Sequence, residues 1–198
     1  MAEQTWVQCI NPYQISSTGT FTLKEFTTIK PLSPGGEKAE TGALVIPPNT
    51  FQPGSLIRVT AGGFMETEAE ETEYNVSLQF GKPETTYALG GTKKAKTEKS
   101  LKTSWYLTAL VKVLTSTEAE AKGLCMGELF GFTKGAVPTN QNPIPFASGE
   151  AEVETTEWAV KVAGGFGKES PIFLAATCSK SAAKNLITCN LWVVETLN

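Results

Sequence analysis

Three short segments of this chain contain residue types that could do chemistry. Ser181-Ala182-Ala183-Lys184 fits the S-x-x-K pattern, in which a lysine one helical turn after a serine removes the hydroxyl proton. Residues 164–168, Gly-Gly-Phe-Gly-Lys, approach a phosphate-binding loop. The third segment carries carboxylates of the kind that work in pairs in glycoside hydrolysis: Glu150, Glu152, Glu154 and Glu157.

None of these segments has the context that its chemistry needs. The S-x-x-K pair must face a pocket from a helix, whereas residues 181–184 form a polar link between two predicted strands. In the glycine-rich segment Glu169 takes the hydroxyl position and Val162 replaces the first glycine, which predicts a turn. Glu150, Glu152 and Glu154 share one face of an extended segment, where like charges discourage aggregation of sheet edges. We therefore expect no catalytic, cofactor-binding or metal-binding residues.

The composition excludes several classes of enzyme. The chain of 198 residues has no histidine, and every acidic side chain is a glutamate, because no aspartate occurs. The missing histidine removes Ser-His and Cys-His mechanisms and the usual metal sites. The missing aspartate removes EF-hand calcium loops and most magnesium sites. An enzyme that works through glutamate or lysine stays open as a third hypothesis, but we expect a protein that is not an enzyme.

Charge and hydropathy argue against nucleic-acid and membrane partners. The formal net charge is −3, the isoelectric point is about 5.2, and Arg58 is the only arginine. A nucleic-acid reader without further arginines would lack its main phosphate and guanine contacts. We find no apolar run near the ~20 residues that cross a bilayer. The first residues have no basic and apolar regions of a signal peptide, so we expect folding in a cytoplasm.

The four cysteines do not form a disulfide framework. Cys9, Cys125, Cys178 and Cys189 are widely spaced, and no C-x-x-C motif occurs. Cys178 and Cys189 fall on neighbouring predicted strands and could face each other. The simpler interpretation is that these are reduced, buried thiols that pack as small hydrophobic side chains.

Alternating side chains predict an all-β fold. Residues 74–80 alternate apolar and polar side chains, and residues 105–113 carry an apolar row with the same period of two. Residues 186–195 are apolar on both faces, with Ile187, Cys189, Leu191 and Val193 opposite Leu186, Trp192 and Val194. Weaker strand signals cover residues 20–27, 42–46, 55–61, 85–89, 124–132, 158–162 and 172–177. About ten short strands with Gly, Pro and Asn punctuation are typical of an antiparallel β-sandwich or jelly roll.

The remaining segments predict a little helix and several loops. The best helical candidate is residues 116–122, and residues 138–145 form the longest predicted loop. Ala-Gly-Gly-Phe occurs twice, at residues 61–64 and 163–166, each time after an apolar run. Two equivalent corners at strand ends would produce this repeat, and so would chance.

Charged side chains are grouped before two of the strands. The acidic group precedes the strand at residue 74 and consists of Glu66, Glu68, Glu70, Glu71 and Glu73. The basic group precedes the strand at residue 105 and consists of Lys93, Lys94, Lys96, Lys99 and Lys102. One interpretation is two solvated loops that keep the surface soluble. The other is that the acidic loop of one protomer meets the basic loop of the next.

Two stretches resemble a known group of proteins. Residues 44–63, LVIPPNTFQPGSLIRVTAGG, resemble a segment that recurs in jelly-roll-like virion structural proteins of tailed bacteriophages, where a turn similar to I-P-A-N-T precedes a glycine and a strand with Ile-Arg. Residues 181–198 look like the closing strand of that group. Pro48 departs from the pattern, which has a small residue there, and it stiffens the turn. The resemblance covers most of residues 42–198, so we divide the chain into residues 1–41, an N-terminal strand and possible arm, and a β-sandwich of residues 42–198, expected as one structural unit.

The resemblance implies a function without catalysis. It implies a head decoration or minor capsid protein on the virion surface, made in the cytoplasm of the bacterial host, that binds the major capsid protein and stabilises the shell. It also implies a homo-oligomer, by family analogy a trimer, and no cofactor. The alternative is a tail- or fibre-associated binding module, for which Tyr87, Tyr106 or Trp158 would supply an exposed aromatic platform.

Overall fold

The computed structural model describes fourteen segments of the chain. They are residues 7–13, 21–24, 30–32, 44–46, 52–67, 72–82, 85–92, 95–97, 102–117, 120–131, 144–148, 157–161, 170–179 and 185–197. Within these segments the backbone is almost entirely β-strand, and no helix occurs among them. The prediction of an all-β fold is confirmed.

Fifteen strands in the described part of the chain form one continuous sheet, and every pairing is antiparallel. The strands are β1 (Val7–Tyr13), β2 (Phe21–Lys24), β3 (Lys30–Pro31), β4 (Leu44–Ile46), β5 (Leu56–Glu66), β6 (Thr72–Lys82), β7 (Thr85–Gly91), β8 (Ala95–Thr97), β9 (Lys102–Ser116), β10 (Glu120–Phe130), β11 (Ile144–Ala147), β12 (Trp158–Lys161), β13 (Ser170–Cys178), β14 (Leu186–Cys189) and β15 (Leu191–Leu197).

The sheet has two halves that share one core. The first half runs in the order β1-β15-β5-β9-β10-β11 and the second in the order β7-β6-β13-β3. In the described segments, a single pair of strand residues, Ala147 with Gly91, joins the halves. One hydrophobic cluster contains buried side chains of both halves, such as Leu107 and Leu78. The sheet is therefore curled, and its inner surfaces pack together as in a sandwich.

The period of two in the sequence explains which side chains are buried. In β9, Trp105, Leu107, Ala109, Val111 and Val113 are all buried, and the residues between them are exposed or half-buried. In β6, the side chains of the predicted apolar row, Tyr74, Val76, Leu78 and Phe80, are buried as well. Alternate side chains of a strand point to opposite faces, so these rows form the inner layers of the core.

The weaker strand predictions also agree with the structure. Each of the seven predicted segments contains or overlaps a strand, namely β2, β4, β5, β7, β10, β12 and β13. The turn before β5 is also as expected: Gly54 has a φ of 91°, and the Ser55 amide donates to the Gln52 carbonyl at 2.9 Å. A glycine suits this position because side chains are disfavoured at positive φ.

Strands β1, β2 and β3 bring the described residues of 1–41 into the sheet. β1 pairs with β15, β2 with β14, and β3 with β13. The sequence did not predict β1 or β3, and it missed β8 as well. These strands are held by pairing partners that lie far away along the chain, and short segments carry little periodic signal.

Two predictions about local structure were wrong, and another was wrong in part. The described residues of 116–122 are not helical: Ser116 ends β9, the Thr117 amide donates to the Glu120 carbonyl at 2.8 Å, and β10 begins at Glu120. Cross-strand pairing between β9 and β10 overrides the helical preference of the Glu and Ala side chains there. Of the predicted loop 138–145, residues 144 and 145 belong to β11, and residues 138–143 lie outside the described segments.

The third error concerns residues 186–195, which form two strands. Asn190 separates β14 from β15, and its amide donates to the Gly62 carbonyl at 2.9 Å. This break shifts the alternation by one residue, so Cys189 and Trp192 are both buried whereas Leu191 is half-buried. The first Ala-Gly-Gly-Phe segment, residues 61–64, does not end a strand either, because β5 continues to Glu66; the second lies outside the described segments.

Candidate functional site

We call the outward side of β15, β5, β9 and β10 the outer face. Its side chains lie in rows across the strands. The middle row runs Glu195, Arg58, Leu110 and Met126. The row on one side runs Val193, Thr60, Thr108 and Glu128, followed by Leu191, Gly62, Tyr106 and Phe130. The row on the other side runs Leu197, Leu56, Lys112 and Leu124.

Large apolar side chains are exposed on this face. Four large hydrophobic side chains are exposed among the described residues, and all four belong to it: Met126 at 60%, Phe64 at 57%, Tyr106 at 42% and Leu114 at 37%. Leu110, Leu124 and Phe130 are half-buried between them. Exposed apolar side chains grouped on one face are common on surfaces that contact other proteins.

The second half of the sheet differs. On the outward side of β13, Phe173 and Ala175 are 3% and 0% exposed, and Gln79 opposite Phe173 is also buried. The outward surface of the second half is thus covered at these positions. The first half presents the exposed surface, which locates the candidate site on one side of the sandwich.

A bulge exposes Leu114 at one end of the outer face. Val113 pairs with Gly123 and Thr115 pairs with Lys122, so Leu114 has no cross-strand partner. Such an extra residue bends the strand and re-aims its side chain. The bulge therefore adds an apolar side chain to the end of the face that is opposite Phe64 and Tyr106.

Aromatic side chains line the other end. The rings of Tyr106 and Phe130 lie 6.3 Å apart with a tilt of 43°, a favourable arrangement for an aromatic pair. Gly62 pairs with Tyr106, and a Cβ atom at Gly62 would contact the Tyr106 ring at 3.7 Å. Phe64 borders an open pocket of about 390 Å³, next to the Lys102–Glu66 ion pair of 3.3 Å.

Charges on the outer face are of two kinds. Arg58 donates a 2.6 Å hydrogen bond to Glu195, which raises the pKa of the guanidinium and lowers the pKa of the carboxyl. This pair is neutral as a unit. Lys112 and Glu128 are both exposed and form no ion pair with another described residue. Among its described residues, the face thus carries one positive and one negative charge without an ion-pair partner, close to exposed apolar side chains.

The residues that suggested chemistry are not assembled into a site. Ser181 to Lys184, Gly164 to Lys168 and three of the four glutamates, Glu150, Glu152 and Glu154, lie outside the described segments. The fourth, Glu157, is exposed just before β12. Among the described residues no group of histidine, cysteine, aspartate or glutamate side chains could hold a metal ion.

The three aromatic residues considered for a platform are placed differently. Tyr106 is exposed on the outer face, whereas Tyr87 packs against the core and is only partly exposed. Trp158 belongs to β12, and its side chain is outside the described part. The aromatic residues near Tyr106 are instead Phe130 and Phe64, which the sequence analysis did not single out.

The acidic and basic groups meet within one chain at the positions that are described. Lys102 pairs with Glu66, and Glu73 on β6 lies opposite Lys96 on β8. At Glu66 and Lys102 the two charges thus pair inside the chain, and the hypothesis of an acidic loop that meets another protomer's basic loop stays a prediction. Glu68, Glu70, Glu71, Lys93, Lys94 and Lys99 lie outside the described segments.

The described cysteines are buried and free. Cys125, Cys178 and Cys189 form no disulfide, and burial raises the pKa of Cys125 and of Cys189 to about 12. Cys178 and Cys189 are not on paired strands, because β13 pairs with β3, β4 and β6 while β14 pairs with β2 and β5. The expectation that they could face one another on neighbouring strands is therefore wrong.

Comparisons with protein-family models, curated protein sequences and solved structures gave no match. In the segments that the structure describes, no helix is long and apolar enough to cross a membrane.

Proposed function

We propose that this chain is a structural protein of a bacteriophage particle, a head decoration or minor capsid protein that reinforces the shell. The observation that carries the proposal is the outer face, on which Phe64, Tyr106, Leu114 and Met126 are exposed together. The resemblance of residues 44–63 and 181–198 to jelly-roll-like virion proteins supplies the phage context. Adhesion, rather than turnover of a substrate, is what such a surface supports.

The sandwich suits this role because its contact residues are carried by paired strands. Phe64, Tyr106 and Met126 lie on β5, β9 and β10, and the central strand β9 pairs with each of the other two over most of its length. Rigid strands lose little conformational entropy on binding. Burying an exposed apolar side chain contributes roughly 1 to 2 kcal/mol. Repeated over many copies on one shell, these contacts oppose the outward pressure of packaged DNA.

The proposed partners are the major capsid protein and further copies of this chain. The resemblance favours a trimer on the local threefold axes of an icosahedral shell, where one decoration protein contacts several capsid subunits. We infer that the protein is made in the bacterial cytoplasm and then lies on the head surface.

The direct test is a rebinding experiment with purified protein and phage heads that have been stripped of it. We expect one discrete oligomer in size-exclusion chromatography with light scattering, and saturable cosedimentation with the heads. Rebinding should raise the temperature at which the heads release DNA. A strict monomer that never rebinds would refute the proposal.

A tail- or fibre-associated binding module is the second candidate. The exposed ring of Tyr106 with Phe130 beside it favours this alternative, since aromatic faces stack on sugars and on extended peptides. The copy number in purified virions separates the two candidates. Hundreds of copies per particle indicate the head, and a handful indicates the tail.

A further inference from the structure

We propose that the outer face is a self-contact, in which two copies of this chain pack face to face around a twofold axis through Leu110. The inference deepens the proposed function by assigning the outer face to one of its two proposed partners, a further copy of this chain, which leaves the shell to other surfaces; it rests on that function only in treating the outer face as a contact surface. A twofold contact must be self-complementary: if one residue meets a second, the second must meet the first in the partner.

The apolar side chains of β9 satisfy this condition. Tyr106 lies four residues before Leu110 and Leu114 lies four residues after it, and all three point outward. A twofold axis through Leu110, perpendicular to the strand and parallel to the sheet, places Tyr106 of one copy over Leu114 of the other. The same operation brings Leu110 and Met126 onto their own equivalents, because they share the middle row. Every exposed apolar residue of β9 and β10 then meets another.

The charges of Lys112 and Glu128 are self-complementary under the twofold axis as well. Lys112 lies two residues from Leu110 on one side, and Thr108 lies two residues away on the other. Glu128 is the cross-strand neighbour of Thr108. The twofold operation therefore brings Lys112 over Thr108 of the second copy, one strand spacing of about 4.8 Å from Glu128. Two symmetric Lys112–Glu128 contacts result, one on each side of the axis.

The same operation brings Arg58 over Arg58 and Glu195 over Glu195 of the second copy, because both residues lie in the middle row. The 2.6 Å hydrogen bond within each chain neutralises each pair as a unit, which limits the like-charge repulsion. The charges that favour this contact are those of Lys112 and Glu128, which form no ion pair with another described residue of their own chain. A second copy supplies both partners at once.

The size of the face fits a specific contact. Four strands span about 20 Å, and the distance from Tyr106 to Leu114 with their side chains is about 30 Å, which gives about 600 Å² per chain. Two copies would bury about 1,200 Å², which is the lower end of the range for specific protein interfaces. Aligned packing of two sheets at this separation is also a common arrangement in β-proteins.

Charge reversal tests the contact. The variants are Glu128→Lys, Lys112→Glu and the double variant, measured by sedimentation velocity over a concentration series. Each single variant should weaken self-association about tenfold or more, because like charges then face each other twice. The double variant restores opposite charges and should return to within about threefold of the original affinity. Lys24→Glu, an exposed change of the same charge on β2, is the matched control and should have no effect.

The outcomes separate this inference from the proposed function. A dimer, or a hexamer if a threefold contact also exists, that is lost in the single variants and recovered in the double variant supports the inference. The inference is overturned if none of the charge changes affects the oligomer, or if the protein is a monomer at every concentration. If such a protein still rebinds to stripped heads, the proposed function stands and only the self-contact is wrong. Circular dichroism on each variant verifies that the fold is intact.

Discussion

The indole nitrogen of Trp105 donates a hydrogen bond to the backbone oxygen of Thr188 at 2.9 Å, which joins β9 to β14 across Gly63. The side chain of Thr188 accepts from the Phe64 amide at 3.0 Å and donates to the Phe64 carbonyl at 3.2 Å. Two residues further on, the Asn190 amide donates to the Gly62 carbonyl. This junction holds the closing strands against β5 at the end of the outer face that carries Phe64.

Gly63 should be intolerant of any side chain. A Cβ atom there would lie 1.9 Å from the Thr188 oxygen, which is backbone and has little freedom to move. We expect Gly63→Ala to lower the free energy of unfolding by about 2 kcal/mol or more. Gly62→Ala is the matched control, since its nearest atom outside its chain neighbours is 3.2 Å away, and it should change stability by less than about 1 kcal/mol. Urea unfolding measures both, and equal effects would contradict the geometry.

The contribution of the Trp105 hydrogen bond to stability can be separated from the contribution of the ring's volume. Trp105→Phe removes the donor and leaves the Thr188 oxygen without it, which should cost about 1 to 3 kcal/mol in addition to the lost volume. Trp192→Phe is the control, because Trp192 is as deeply buried and its indole nitrogen has no hydrogen-bond partner among the described residues. The first variant should therefore be the less stable of the two in chemical denaturation. The reverse order would show that the bond contributes nothing.

The sequence predicted the core well because one physical rule decides it. Strands that have one face in the core alternate apolar and polar side chains, and Leu107 and Leu78 follow that rule. The rule fails where the period is interrupted, as at Asn190, whose position depends on the distant Gly62 carbonyl. The helical prediction for residues 116–122 failed for another reason, because at the described positions pairing between β9 and β10 overrides the local preference.

The outer face was harder to predict. Leu110 and Leu114 were visible as apolar residues on the side of β9 opposite Trp105, which is a signal that both faces of the strand are apolar. The sequence does not say that Met126 lies beside Leu110, because that depends on the register between β9 and β10. Register also places Lys112 and Glu128 on either side of the middle row. To predict an exposed patch, one therefore needs the pairing of several strands, because the side-chain pattern of a single strand is not enough.

The Arg58–Glu195 pair should make the stability of the fold depend on pH. The hydrogen bond from Arg58 is the main cause of the lowered pKa of Glu195, whose ordinary value is 4.5. A lowered pKa in the folded state means that the pair stabilises the fold above that value and that its contribution is lost as pH falls through the lowered pKa. We expect Glu195→Gln to lower the melting temperature at pH 7 and to differ progressively less from the original protein below pH 4.5. The effect is small, since the pair is partly exposed to solvent. A difference that stays constant from pH 7 to acid would argue against this role.

The buried thiols should be unreactive until the protein unfolds. Burial raises the pKa of Cys125 and Cys189 from 9.0 to about 12, so almost no thiolate forms at pH 8, and the side chains are also inaccessible. We expect Cys125, Cys178 and Cys189 to resist iodoacetamide in the native protein and to react fully in guanidinium chloride. Peptide mapping by mass spectrometry assigns the modified positions, and Cys9→Ser removes the one cysteine whose side chain is not described. Rapid native labelling of Cys125 would show that β10 does not turn this side chain into the core.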